Sequence, residues 1–235
     1  MKNYLKNRKI LEEGHVYSKS MEHDACGVGL IASTEGKKSR KVVEYGINAL
    51  KAVFHRGAVD ADGKTGDGAG IHLEIPSNFF AEKIELTGHK HDGSEICIGM
   101  IFLPRNNYEA QENARTLVES ELTKSNFSIY GWRQVPVNTK VLGEKAGFTR
   151  PEITQVLFKN NNKSLVGKEL ERKLYESRRK IEKEAIKNAL EGFYICSLSS
   201  KSIIYKGMFL AESIAEFYID LKDERFISRY AIFHQ

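Results

Sequence analysis

Apolar residues fall along the chain in short runs and in helical stripes. The run 26–33, Cys-Gly-Val-Gly-Leu-Ile-Ala-Ser, is bounded by turn formers and predicts a buried strand with Cys26 at its leading end. Ser39 is placed to cap a following helix, in which Val43, Ile47, Leu50 and Phe54 recur at three- and four-residue steps and mark one apolar face. A second strand over residues 71–75 stops at Pro76, and a helix from Ser77 carries Phe79, Phe80 and Ile84. Residues 96–103 give a third strand, again ended by a proline.

Farther along, residues 107–122 read as a polar helix with Ala110, Ala114, Leu117 and Val118 inward, and alternation at Phe127, Ile129 and Val135 marks a strand through Trp132. From 164 to 188 lysine, arginine and glutamate dominate a long helix whose apolar stripe is Val166, Leu170, Leu174, Ile181 and Ile186; the charges are a solvated face. Residues 193–198 and 203–208 predict a β-hairpin around 199–202, and 228–234 a last strand. Adjacent strands with helices grouped between them predict an α+β layered sandwich rather than a regular βαβ wheel.

The 235 residues, 41% apolar and 29% charged, fit one folded core. No run of about 18 apolar residues is present, which excludes a membrane-spanning helix. A net charge of +5, with lysine and arginine mixed among acids, gives no nucleic-acid signature. Three widely spaced cysteines, Cys26, Cys97 and Cys196, lack the spacing of a disulfide framework or zinc site and fit a reducing, cytoplasmic setting. The first 25 residues have no apolar core and include Glu12, Glu13, Glu22 and Asp24, unlike a secretory or transit peptide.

Candidate chemistry begins at Cys26, in Asp24-Ala-Cys-Gly-Val-Gly29. A thiol attacks as thiolate and needs a base or a positive environment; a lone cysteine opening an apolar strand is otherwise a small core residue. Two further segments accompany it: His55-Arg-Gly-Ala58, closing the first helix, and Asp62-Gly-Lys-Thr-Gly-Asp-Gly-Ala-Gly70. Gly66-x-Gly68-x-Gly70 either shapes a pocket floor by close backbone approach or makes a tight turn. Without a Gly-Lys-Ser/Thr ending and a following helix it is a weak nucleotide signal. His89, His91 and Cys97 lack a fourth ligand and fit an exposed loop better than a metal site. Cys97 and Cys196 sit in apolar strands as inert core residues.

Taken in order, these motifs resemble the amino-terminal glutamine amidotransferase domain (class II) of the glutamate synthase large chain. The resemblance extends through Gly131-Trp-Arg-Gln-Val-Pro136, Phe193-Tyr-Ile-Cys-Ser-Leu-Ser-Ser200, Ile204-Tyr-Lys-Gly-Met208 and Phe233-His-Gln235, and covers essentially everything from residue 22 onward. It implies a four-layer αββα sandwich of the N-terminal-nucleophile hydrolase type, incomplete at the C-terminus. It also implies a propeptide over 1–25 and a partial amidotransferase domain over 26–235.

By that resemblance Cys26 becomes the first residue and its freed α-amine serves the thiol as base; such an amine titrates near 7.7–8.0. Cys26 then attacks L-glutamine, forms a thioester, releases ammonia and is hydrolysed free. Arg56 orders the pocket or makes a structural salt bridge. Gly57, Asp67 and Gly68 belong to the pocket wall, with Asp67 fixing the glycine loop.

The family's Arg-Tyr-Ser-Thr, Asn-Gly and substrate-amine aspartate follow later than Gln235. A segment without them is expected to be nearly inactive, since one lost oxyanion donor alone costs about 10²–10³ in rate. The implied whole enzyme uses FMN and an iron–sulfur cluster, neither of them bound in this segment. Its partners are the remaining synthase domains and an NADPH-oxidising small subunit or ferredoxin. Two alternatives remain open: a non-catalytic remnant or docking piece of the same fold, and an acylase with the same kind of nucleophile.

Overall fold

A computed structural model describes residues 2–14, 18 and 26–235. In chain order the elements are α1 (Lys2–Glu13), β1 (Val28–Ala32), α2 (Arg40–Ala52), β2 (Ala69–Glu74), α3 (Ser77–Glu85), β3 (Ile96–Leu103), α4 (Tyr108–Lys124) and β4 (Phe127–Gln134). They continue with α5 (Glu144–Thr149), β5 (Glu152–Asn160), α6 (Gly167–Lys187), β6 (Tyr194–Ser199), β7 (Ser202–Gly207), α7 (Ile214–Phe217) and β8 (Tyr230–His234). Of the expected propeptide, residues 2–13 are helical, while 15–17 and 19–25, which include the bond to be cut, lie outside the described residues.

Two antiparallel four-stranded sheets form, in the orders β1-β8-β2-β7 and β4-β5-β3-β6. Strand β3 shows how they share one interior. Its successive side chains point to opposite faces. Ile96, Ile98 and Met100 join the large core with β1, β2, β7, β8 and α2, whereas Cys97, Ile101 and Leu103 join a second core under α4 and α6. Helix α2 packs on the first sheet through Val43, Ile47 and Leu50 within that large core, and α4 and α6 cover the opposite face of the second sheet, giving the expected α+β sandwich of two sheets with flanking helices. Each such fully buried aliphatic side chain contributes about 1.5–3 kcal/mol.

Most strands and helices begin where the pattern places them. Ser39 caps α2, its hydroxyl accepting from Val42 N at 3.4 Å. The helix stops a turn early, and Phe54, assigned to the apolar face, opens a 3-10 turn and is 62% exposed. Val166 and Ile186, at the two ends of the α6 stripe, are also exposed; Ser177 and Ala185 face the core instead.

Residues 193–208 do not form the expected hairpin. Strands β6 and β7 belong to different sheets, and the turn between them carries the chain from one layer to the other. Glu171 of α6 holds that corner, accepting from the Ser199 and Ser200 hydroxyls at 2.8 and 2.9 Å and from Ser200 N at 2.8 Å. Strand β5 and helix α5 escaped the pattern. Strand β5 is buried on both faces and carries Thr154 and Gln155 inside, so apolar alternation does not mark it.

A polar cluster lies between the sheets. Arg133 of β4 donates to Asp220 at 2.8 and 2.5 Å and to Gln155 Oε1 at 2.7 Å, and the Tyr205 hydroxyl donates to Asp220 at 3.0 Å. Burial opposes the charge on Arg133, but hydrogen bonding and attraction to Asp220 outweigh it and raise its pKa. Trp132, the residue before it, turns the other way and donates to Glu119 of α4 at 2.6 Å.

Candidate active site

The strand end that carries Cys26 is fixed by its partner. Beyond the β1–β8 ladder, Gly27 N donates to Gln235 O at 2.9 Å and Gln235 N to Gly27 O at 2.8 Å. Cys26 follows outward and is exposed. Over this pair lies the turn after α2: a Cβ on Gly27 would stand 3.1 Å from Arg56 Cγ and 3.2 Å from Val53 Cβ. A Cβ on Gly57 would stand 1.8 Å from Gln235 Nε2 and 3.1 Å from Asp67 Oδ1. Glycine at both positions is therefore a packing requirement, letting the Arg56 stem settle on Gly27 and the Gln235 carboxamide under Gly57.

The loop that brings Asp67 to this point folds back on itself. Val59 and Gly66 form an antiparallel bridge, and Asp67 N donates to Ala58 O at 3.3 Å. Its tip wraps around Asp62, which accepts from the Thr65 hydroxyl at 2.6 Å and from the Thr65 and Lys64 amides at 2.7 and 2.9 Å. Those donors, the Thr65 hydroxyl first, hold the Asp62 carboxyl far below the usual range. Helix α5 supports the loop, Lys145 reaching Asp60 at 2.8 Å and Ala146 N reaching Thr65 Oγ1 at 3.3 Å. Gly68 enters β2 with φ +141°, a backbone conformation that side chains disfavour.

Cys26, Arg56, Asp67 and Gly68 line one cavity of about 880 Å³, and Gly57 sits behind its wall against Gln235 and Asp67. The five expected site residues are thus brought together. The cavity continues along the face of the first sheet turned away from α2, past Val28, His72, Ile204 and Ile232, to Phe102 and Tyr194 on the second sheet. Lys206 crosses the gap there and donates to the Tyr194 hydroxyl at 2.7 Å. Among the apolar side chains of this stretch lies His72, whose Nε2 is buried without a partner and whose pKa burial lowers.

Gln235, His72, Lys206 and Tyr194 are lining residues that motif reading did not single out. For Gln235 a signal existed: alternation along the last strand puts it on the inward face with Ala231 and Phe233.

Cys97 and Cys196 lie in different cores, 0% and 4% exposed, and burial raises both thiols, Cys196 to about 11. Among the described residues no three His, Cys, Asp or Glu side chains converge as metal ligands, so this donor set does not fit an iron–sulfur cluster. His89 and His91 flank the Tyr130 ring, and His91 Nε2 is bonded to Ser94 O at 2.9 Å. No described helix is long and apolar enough to cross a membrane.

Residues 26–235 match the family described as class-II glutamine amidotransferases. The chain is 53% identical over 229 residues to the glutamate synthase (NADPH) large chain of Azospirillum brasilense, covering 97% of this chain and 15% of that protein. It is 40% identical over 215 residues to ferredoxin-dependent glutamate synthase 2 of Synechocystis sp., covering 91% and 13%. With the glutamate synthase (NADPH) large chain of Bacillus subtilis the identity is 37% over 226 residues, covering 93% and 14%. The chain therefore spans only about one seventh of the length of these relatives.

Proposed function

The chain belongs to the class-II glutamine amidotransferases, and we propose that it is the glutaminase domain of a glutamate synthase, hydrolysing L-glutamine through Cys26 once residues 1–25 are removed. One observation carries the reading: Cys26, where the family match begins, is the exposed thiol at the end of a strand and shares a cavity with Arg56, Asp67 and Gly68.

In the proposed reaction the freed α-amine of Cys26 accepts the thiol proton, and the thiolate attacks the side-chain carbonyl carbon of glutamine. The tetrahedral oxyanion collapses to a thioester as the carbon–nitrogen bond breaks. The amine returns its proton to the departing nitrogen, and ammonia leaves. Water then attacks the thioester, releasing glutamate and restoring the thiol. An internal Cys26 offers only a peptide nitrogen, which is no base at neutral pH, so processing is a condition of activity.

Around the thiol, Arg56 is the cation that orders the pocket, Gly57 and Gly68 keep its walls close, and Asp67 fixes the loop. The ammonia serves glutamate formation from 2-oxoglutarate elsewhere in the whole enzyme, with FMN and an iron–sulfur cluster there and an NADPH-oxidising subunit or ferredoxin as electron source. A cytoplasmic location fits the free thiols. Intact-mass measurement of the active natural protein tests the processing step. A chain beginning at Cys26 is expected, and full glutaminase activity in a chain still beginning at Met1 would overturn the reading.

A further inference from the structure

Gln235 is 4% exposed, and neither its Nε2 nor its Oε1 has a hydrogen-bond partner. Leaving a carboxamide in that condition opposes folding, because both atoms have given up water for nothing. The polar cluster around Arg133, by contrast, is matched donor to acceptor. The orphaned amide lies at the Cys26 site: its backbone holds Gly27, its Nε2 rests against Gly57, and it borders the same cavity. Across the bare α-carbon of Gly57 stands the carboxylate of Asp67, an acceptor facing a donor with no bond closed between them.

We propose that Gln235 is a positioning residue for the Cys26 site: when glutamine fills the cavity, its Nε2–H donates to the Asp67 carboxylate and ties the Gly66–Gly70 loop to the strand end that carries Cys26. The bond is charge-assisted, and glutamine in the cavity shields it from water, which strengthens it. Both anchors suit the task. The Gln235 backbone is locked to Gly27, and the Asp67 loop is braced by the Asp62 turn and by α5.

The inference rests on Cys26 being the nucleophile, and the test separates the two. In the intact protein, Gln235→Met keeps the length of the side chain and removes both orphaned atoms. The melting temperature should stay level or rise, while kcat/KM for glutamine falls about tenfold or more, as loss of a charge-assisted hydrogen bond requires. Asp67→Ala should lower it comparably, and the double variant should be within about twofold of the worse single one, because the two groups act through one bond. Unchanged kcat/KM in Gln235→Met, losses that multiply in the double variant, or a loss matched by a fall in melting temperature would each overturn the proposal. If Cys26→Ser retains full activity, the nucleophile reading fails. If Cys26→Ser abolishes activity and Gln235→Met does not, only the positioning role fails.

Discussion

Two regions of this molecule gather charged and amide side chains from distant parts of the sequence, and they treat them in opposite ways. Between the sheets, Arg133, Gln155, Tyr205 and Asp220 are bonded to one another and largely buried. At the Cys26 end, the thiol, Arg56 and Asp67 are exposed around an open cavity, and the one buried amide, Gln235, is left without a partner. The first arrangement spends its polar groups on holding two layers in register. The second sets them around a cavity. Burial with full pairing marks a clamp, whereas exposure beside an unsatisfied donor marks a place prepared for chemistry.

The comparison breaks first at the clamp. Asp220→Ala leaves Arg133 buried and uncompensated, and urea unfolding should show a loss of about 3–5 kcal/mol. Cys26→Ser in the same assay should stay within about 0.5 kcal/mol, as an exposed position does. If Asp220→Ala costs no more than Cys26→Ser, the cluster does not hold the sheets.

A smaller effect sharpens the other side. Gly57→Ala puts a carbon 1.8 Å from Gln235 Nε2 and should cost about 1–3 kcal/mol by overpacking. Gly147→Ala, in α5 with nothing within 4 Å of the new carbon, should be neutral or stabilise by up to about 1 kcal/mol. Equal effects at the two glycines would mean that the turn over Gln235 is not closely packed.

Much of the sandwich was legible because prolines and glycines punctuate it. Strand β3 occupies the residues its apolar run predicts, and α3 buries Phe79, Phe80 and Ile84. What pattern could not carry was partnership. Residues 193–208 have the local look of a hairpin, yet the inner faces of β6 and β7 serve different sheets, a choice made by Glu171 at the corner and by layers formed elsewhere in the chain. Strand β5 hid because the clamp places Gln155 inside it.

The candidate site was legible as a set of motifs, Cys26, Arg56-Gly57 and Asp67-Gly68, whose convergence the fold supplies. Gln235 belongs to the motif Phe233-His-Gln235, which carries no chemistry by itself. Alternation along β8 gives its inward face, but its pairing with Gly27, more than 200 positions away, is a contact that no local pattern contains.

The reactivity of Cys26 is the most direct test of its role as nucleophile. The processed, intact protein should be treated with a glutamine-analogue electrophile and the adduct located by peptide mass. Label is predicted on Cys26, slowed by added glutamine, while Cys97 and Cys196, buried and with raised thiol pKa values, stay unmodified until the protein unfolds. Absence of label at Cys26, or labelling that glutamine does not slow, would contradict it.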